Sequence, residues 1–142
     1  MSKYPLITFE GIEGSGKTTQ INNVINYLKK RKIKYINIRE PGGTKNSEKI
    51  RKLILNNKSS LNTVTDLFLY FASRSENIEK VISKNYGKKI ILIDRFIYST
   101  VAYQHFGMGI ERNIIDRINS FIIKKFNPNH TFLLVVNKKN LI

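Results

Sequence analysis

Gly11-Ile12-Glu13-Gly14-Ser15-Gly16-Lys17-Thr18 stands directly behind the short apolar run Leu6 to Phe9 and ahead of a stretch of helical character from Thr18 to Lys32. The spacing is GxxxxGK[ST] in a strand-to-helix setting, which is the phosphate-binding loop. Glycines let the backbone wrap so that its amides converge on an anion, and the helix that begins there adds the positive end of its dipole. Lys17 then supplies a point charge to the β and γ phosphates of a nucleoside triphosphate, and the Thr18 hydroxyl a ligand for Mg²⁺.

Working outward, apolar runs short enough for buried strands fall at Leu6 to Phe9, Tyr35 to Ile38, Ile90 to Ile93 and Thr131 to Val136. Helical character fills the stretches between them: Thr18 to Lys32, Ser47 to Asn56, Val64 to Asn85, Ser99 to Phe106 and Glu111 to Lys125. Ile50, Leu53 and Ile54 share one helix face, and so do Ile114, Ile115, Ile118 and Ile122. Strands alternating with helices imply right-handed crossovers, a parallel sheet and an α/β three-layer domain. Turn residues cluster at Pro41 to Gly43, Gly87, Gly107 to Gly109 and Asn127 to Asn129, none of them long enough for an interdomain linker.

The bulk properties agree with one folded domain: 142 residues, 41% hydrophobic and 11% aromatic. Without cysteine there is no disulfide framework, thiolate metal site or cysteine nucleophile, and two histidines do not make a zinc site without carboxylate help. No run approaches the roughly 18 apolar residues of a membrane span, and the first ten residues lack a signal-peptide pattern, so a cytoplasmic location is expected. The net charge of +15 admits a nucleic-acid surface or a Lys- and Asn-rich ordinary one. Scattered lysines with no block of five like charges favour the second, and small anions rather than nucleic acid as partners.

The third strand delivers Asp94 to the carboxyl edge of the sheet, near the phosphates, as an acidic partner for Mg²⁺ or its waters. Arg95 follows at once, placed to bind a second phosphate group; a purely structural Asp-Arg pair is the alternative.

The block from Phe9 to Thr19 resembles the opening of bacterial thymidylate kinases. Three more blocks match that family in order and spacing: Arg39-Glu40-Pro41-Gly42-Gly43-Thr44, Leu69-Tyr70-Phe71-Ala72-Ser73-Arg74, and Asp94 through Gln104. The resemblance runs from Tyr4 to Val136. It implies a P-loop NTP hydrolase-like fold, ATP as phosphoryl donor, dTMP as acceptor and Mg²⁺ as cofactor. ATP is expected on Gly11, Ile12, Glu13, Gly14, Ser15, Gly16, Lys17, Thr18 and Thr19, with Lys17, Arg95, Asp94 and Glu13 as the catalytic group and Thr18 and Asp94 toward the metal.

For the acceptor, the resemblance implies that Tyr70 stacks on thymine and that Arg74 meets a carbonyl edge of the base. Thr100 and Gln104 address the pyrimidine edge, and Tyr103 packs under the deoxyribose where a 2′-hydroxyl would crowd it. Arg95, Arg51 and the turn of Glu40, Pro41 and Gly42 gather at the dTMP phosphate, Glu13 approaches the acceptor sugar and phosphate, and Ser99 counts among the substrate-binding residues. Blander alternatives stay open for Tyr70 as a core aromatic, and for Arg74 and Arg51 as solvated helix residues.

Gly14 stands where some members, chiefly eukaryotic, carry a basic residue; members with Gly there supply basic residues from a mobile lid. In the family that lid, a fifth strand and a closing helix follow the fourth strand, so the expectation is a single kinase core with four strands, the fifth missing, ending before the lid. Asn137 to Ile142 reads as the start of the next helix. A homodimer of a fuller form of the protein is expected through the third helix, where Val64, Leu67, Phe68 and Phe71 offer apolar surface, although the same residues could be buried against the sheet. Two rivals remain: a kinase for another nucleoside monophosphate, and a non-catalytic nucleotide-binding fragment.

Overall fold

The computed structural model describes residues 4–56 and 58–137. The reading of a helix beginning at Asn137 therefore falls, beyond that residue, outside the described residues. Strands β1 (Leu6–Gly11), β2 (Tyr35–Arg39), β3 (Ile90–Asp94) and β4 (His130–Leu134) form one sheet in the order β2-β3-β1-β4. Every pairing is parallel. The chain returns through helices α1 (Lys17–Lys30), α2 (Lys45–Ile54), α3 (63–85), α4 (97–107) and α5 (Arg112–Ile123).

Two apolar layers sandwich the sheet because the inner strands point side chains to alternate faces. Phe9 and Leu92 face Ile21 and Leu28 of α1. Leu6, Ile38, Ile91 and Ile93 face the other way, onto Ile78 and Ile82 of α3, Ile123 of α5 and Phe126. A third cluster, Leu67, Phe71, Val101 and Ile115, locks α3, α4 and α5 together. This is the three-layer α/β/α arrangement that the alternation implies, with strands and helices where the sequence puts them and ends that differ by at most two residues.

The two larger differences are in winding. Within α3 an α-helix over Thr63–Asn77 widens to a π turn at Ile78–Ile82 before a closing turn at Ser83–Asn85. Helix α4 begins at Ile97, two residues earlier than its pattern suggests, and is π-wound over Val101–Gly107. Hydrophobic spacing does not distinguish an occasional π turn from α winding. Side-chain caps at Thr44, accepting from the Ser47 amide, and at Asn62, accepting from the Thr65 amide, start α2 and α3.

Register brings the chemistry to one edge. Asp94 pairs with Phe9 of β1 and with Arg39 of β2, so the last residues of β2 and β3 and the exit of β1 lie at the same level. Ligands in open α/β sheets bind outside this carboxyl edge.

Candidate functional site

The phosphate-binding loop leaves β1 at Gly11, with φ of 146°, and enters α1 through Gly16, with φ of 87°. A Cβ on Gly11 would sit 2.6 Å from the Leu134 carbonyl oxygen of β4 and 2.7 Å from Ser15 Oγ, so only glycine fits there. Lys17 is 7% exposed, and its Nζ donates to the carbonyl oxygens of Gly11 at 2.9 Å and Ile12 at 2.7 Å, crossing the loop from within. Burial, then the nearby Arg95 charge, pulls the Lys17 ammonium below its ordinary value, against Asp94, Glu10 and Glu13.

A cavity of about 480 Å³ opens over this loop, lined by Glu13 to Thr19, Arg39, Glu40, Arg51, Asp94 and Arg95. The Asp94 Oδ1 is buried with no hydrogen-bond partner, while Thr18 is exposed in the same cavity. A buried carboxyl oxygen without a donor suits a cation or its waters, and the hard oxygen donors Asp94 and Thr18 suit Mg²⁺ held jointly with phosphates. Among the described residues there is no cluster of three or more His, Asp or Glu that could hold a metal by themselves.

A second cavity of about 260 Å³ adjoins it, lined by Glu13, Glu40, Pro41, Arg51, Leu55, Tyr70, Arg74, Arg95, Phe96, Ser99, Thr100 and Tyr103. Glu13, Glu40, Arg51 and Arg95 line both. The floor of the second is Arg74, 2% exposed. Its Nε donates to Glu40 Oε2 at 2.7 Å, Nη1 to Asn119 Oδ1 at 2.9 Å, and Nη2 to the Phe96 carbonyl and Thr100 Oγ1, both at 2.9 Å. Phe96 and Phe71 cover the guanidinium faces at 4.7 and 5.7 Å. A solvated surface arginine is thereby ruled out: four of its five N–H groups are bound within the protein, and the fifth is on Nη1.

Glu40 follows β2 directly, its amide donating to the Asp94 carbonyl at 2.9 Å, and the Glu40–Pro41 peptide is cis. Burial pushes its carboxyl group above the usual range, opposed by Arg74 and Asn77. The turn that follows is held from α3: the Gly42 amide donates to Ser73 Oγ at 3.1 Å and Asn77 Nδ2 to the Gly42 carbonyl at 2.7 Å. From α2, Arg51 Nη1 donates to the Pro41 carbonyl at 2.8 Å, so Arg51 is anchored over the turn rather than merely solvated.

Arg95 has the left-handed φ of 65°, and its Nη1 donates to the Gly11 carbonyl at 3.0 Å while its guanidinium lies 5.6 Å from the Tyr103 ring. Tyr70 and Tyr103 both border the second cavity; burial raises the Tyr70 phenol, with Asp66 and Tyr103 adding to it. Of the expected residues, Gly11 and Ile12, whose carbonyl groups accept from Lys17, and Gly42, in the turn braced by Ser73 and Asn77, line neither cavity, and nor does Gln104. Fully buried, it donates from Nε2 to Asp66 Oδ2 at 3.0 Å, because π winding after Thr100 changes the phase that an α-helical spacing of four assumes.

Sequence reasoning passed over Glu10, Ser73, Asn77 and Asn119. Each is buried and holds part of the site. Glu10 and Asn119 carried a signal, being polar residues within an apolar strand and on the apolar face of an otherwise Ile-rich helix.

Fold and site together define a P-loop nucleotide-binding α/β protein with a second, aromatic and cationic cavity beside its phosphate loop. The family model described as thymidylate kinase matches residues 9–142, and the chain belongs to the thymidylate kinase family. It is 41% identical over 130 residues to the thymidylate kinase of Chlorobium chlorochromatii, covering 91% of this chain and 59% of that protein. The thymidylate kinase of Kosmotoga olearia is 40% identical over 131 residues, 92% of this chain and 63% of that one. The crystal structure of thymidylate kinase from Ehrlichia chaffeensis superposes with a TM-score of 0.86 at 40% identity, over 95% of this chain and 74% of that one. The chain thus spans about three fifths of the length of the first two relatives.

Proposed function

We propose that this chain is the nucleotide-binding core of an enzyme that transfers the γ-phosphoryl group of ATP to the 5′-phosphate of dTMP, giving dTDP and ADP. The observation that carries the proposal is the pair of adjoining cavities with Arg95, Glu13, Glu40 and Arg51 on their shared boundary. Such a boundary suits a donor phosphate on one side and an acceptor phosphate on the other.

In this reading the loop Gly11 to Thr19 holds the ATP phosphates, with Lys17 against the β and γ groups and Thr18 and Asp94 toward Mg²⁺. The metal supplies charge neutralisation of the donor phosphates when bound. An oxygen of the dTMP phosphate attacks the γ-phosphorus and the bond to the β-phosphate oxygen breaks. The acceptor is already anionic, so no general base is needed, and the residues' work is positioning and neutralising charge. Arg95, Arg51 and the Glu40 to Gly42 turn hold the acceptor phosphate, Glu13 approaches the acceptor, and Tyr70 stacks on the base. The Nη1 N–H of Arg74 left without a protein partner among the described residues suits a base carbonyl. Thr100 and Ser99 line the same cavity, Tyr103 abuts the sugar, and Gln104 stands behind the wall, bonded to Asp66.

We read residues 1–142 as one core, cytoplasmic, of a protein whose fuller form is a homodimer through α3; among the described residues no helix is long and apolar enough to cross a membrane. The test is nucleoside diphosphate formation from ATP with dTMP, dUMP, dCMP or AMP. A preference for dTMP supports the assignment, and equal turnover or equal thermal stabilisation by dTMP and AMP refutes it.

A further inference from the structure

Glu10 lies in β1 one residue before the phosphate loop, 2% exposed, and lines neither the loop cavity nor the second one. Its carboxyl group is nonetheless engaged on both oxygens. Oε1 accepts the amides of Phe96 at 2.9 Å and Tyr98 at 3.1 Å, and Oε2 accepts the Ser99 hydroxyl at 2.5 Å. These donors follow Arg95 in the chain and include the amide of Phe96, the N-cap residue of α4, and that of Tyr98 in its first turn, and α4 has no side-chain cap from Phe96 itself. A residue of one strand therefore caps a helix that begins after its neighbour strand.

Directly after β3 sits Arg95 at φ of 65°, a conformation that a long side chain adopts only where its surroundings impose it. On one side its own amide donates to the Phe9 carbonyl of β1 at 2.9 Å. On the other, Glu10 holds the next amide. Ser99 Oγ, which donates to Glu10, also lies 3.5 Å from Arg95 Nη1, at the outer limit of hydrogen bonding, while that Nη1 donates to the Gly11 carbonyl. Adjacent residues Phe9 and Glu10 thus grip the chain before and after Arg95.

We propose that Glu10 is a positioning residue for Arg95: its buried carboxyl group fastens the start of α4 so that Arg95 keeps its left-handed turn and its guanidinium stays across the mouth of the phosphate loop. The proposal rests on the reading above that Arg95 meets the acceptor phosphate, and it adds how that arginine is aimed. Nothing in the role requires Glu10 to touch substrate.

The test compares dTMP with thymidine, which lacks the phosphate, by calorimetry on the protein and three variants. Arg95→Ala should weaken dTMP about tenfold or more and leave thymidine unchanged, since a charge-assisted contact is lost. Glu10→Ala should show the same selective loss, and should add little to it in the Arg95→Ala background. Glu10→Gln keeps an acceptor for the two amides, so most of the dTMP affinity should return. Equal weakening of dTMP and thymidine by Glu10→Ala, or of neither, overturns the proposal. If Glu10→Ala does not fold, Glu10→Gln decides by a loss of about twofold to fivefold confined to dTMP, because its amide N–H₂ cannot accept the Ser99 hydroxyl. Should Arg95→Ala leave the dTMP to thymidine ratio intact, the acceptor-phosphate reading is what fails. The Arg95 Nε–H resonance without nucleotide then judges Glu10 alone: a shift in Glu10→Gln upholds the positioning role, and an unmoved signal overturns it.

Discussion

Arg74 Nε donates to Glu40 Oε2 at 2.7 Å with both side chains buried, at 2% and 4% exposure, whereas the other ion pairs among the described residues are exposed. The pair joins the end of β2 to the middle of α3 and forms the floor of the second cavity. Removing one partner leaves the other as an uncompensated buried charge, which costs about 3 to 5 kcal/mol. Either Arg74→Ala or Glu40→Ala should therefore destabilise by that order in urea unfolding. The double variant should cost less than the sum of the two, since neither charge is then stranded. Arg74→Lys should rescue little, because one ammonium cannot reach the four acceptors spread around a planar guanidinium.

Two glycines of the phosphate loop should respond differently to the same change. Gly14 has φ of 75° and open space where a Cβ would go, so Gly14→Ala carries only the backbone penalty, about 1 kcal/mol. At Gly11 the added carbon meets the Leu134 carbonyl oxygen at 2.6 Å, and that atom belongs to the paired strand β4. Gly11→Ala should cost about 3 kcal/mol or more in denaturant unfolding and disturb the β1–β4 pairing. Comparable losses for the two would contradict this account.

The legible part of the fold was its local grammar. The loop from Gly11 to Thr18 declares itself because four of its eight positions, Gly11, Gly16, Lys17 and Thr18, are fixed by the motif, and the strands because parallel strands are short apolar runs, although β4, expected to be buried, is largely exposed. What could not be read depends on segments meeting in space. Arg74 looks like a solvated helix residue until Glu40, Phe96, Thr100 and Asn119, between 22 and 45 positions away, close around it. Glu10 acts 86 to 89 positions along the chain, on a helix start that shows no cap of its own. Gln104 lies behind the cavity wall for a different reason, since apolar periodicity does not announce a π turn.

The Lys17 ammonium has its proton affinity lowered by burial and by Arg95, so in the nucleotide-free protein it deprotonates below the ordinary 10.5. Phosphate oxygens favour the charged form, and the affinity for ATP should fall as pH rises through that lowered value. At a pH in the same range, binding should take up a fraction of a proton, seen by calorimetry in two buffers of different ionisation enthalpy. The linkage for folding has the opposite sign. The folded chain binds fewer protons at Lys17 than the unfolded chain, so this group's penalty is full below its folded pKa and is relieved as pH rises toward 10.5. Lys17→Ala should abolish the proton uptake and weaken ATP by about 1.5 to 3 kcal/mol. An unchanged ATP affinity would refute the assignment of the loop.

The apolar residues of α3 divide between two destinations. Leu67 and Phe71 are buried at 2% each, against Val101 of α4 and Ile115 of α5, as a core reading of the helix requires. Val64 and Phe68, also four apart, remain 54% and 57% exposed, and on α5, which packs against α3, Ile114 and Phe121 are 45% and 79% exposed. Large apolar groups left open on two adjoining helices are what a second copy of the chain would cover. Because Phe68 is exposed in the single chain, Phe68→Glu should change the stability of the fold by only about 0.5 kcal/mol. The same substitution would bring like charges and desolvated carboxyl groups to a two-fold interface, so dimer should give way to monomer. Sedimentation at tens of micromolar protein checks both: a wild-type dimer with a folded monomeric variant supports assembly through α3, and a wild-type monomer at that concentration refutes it.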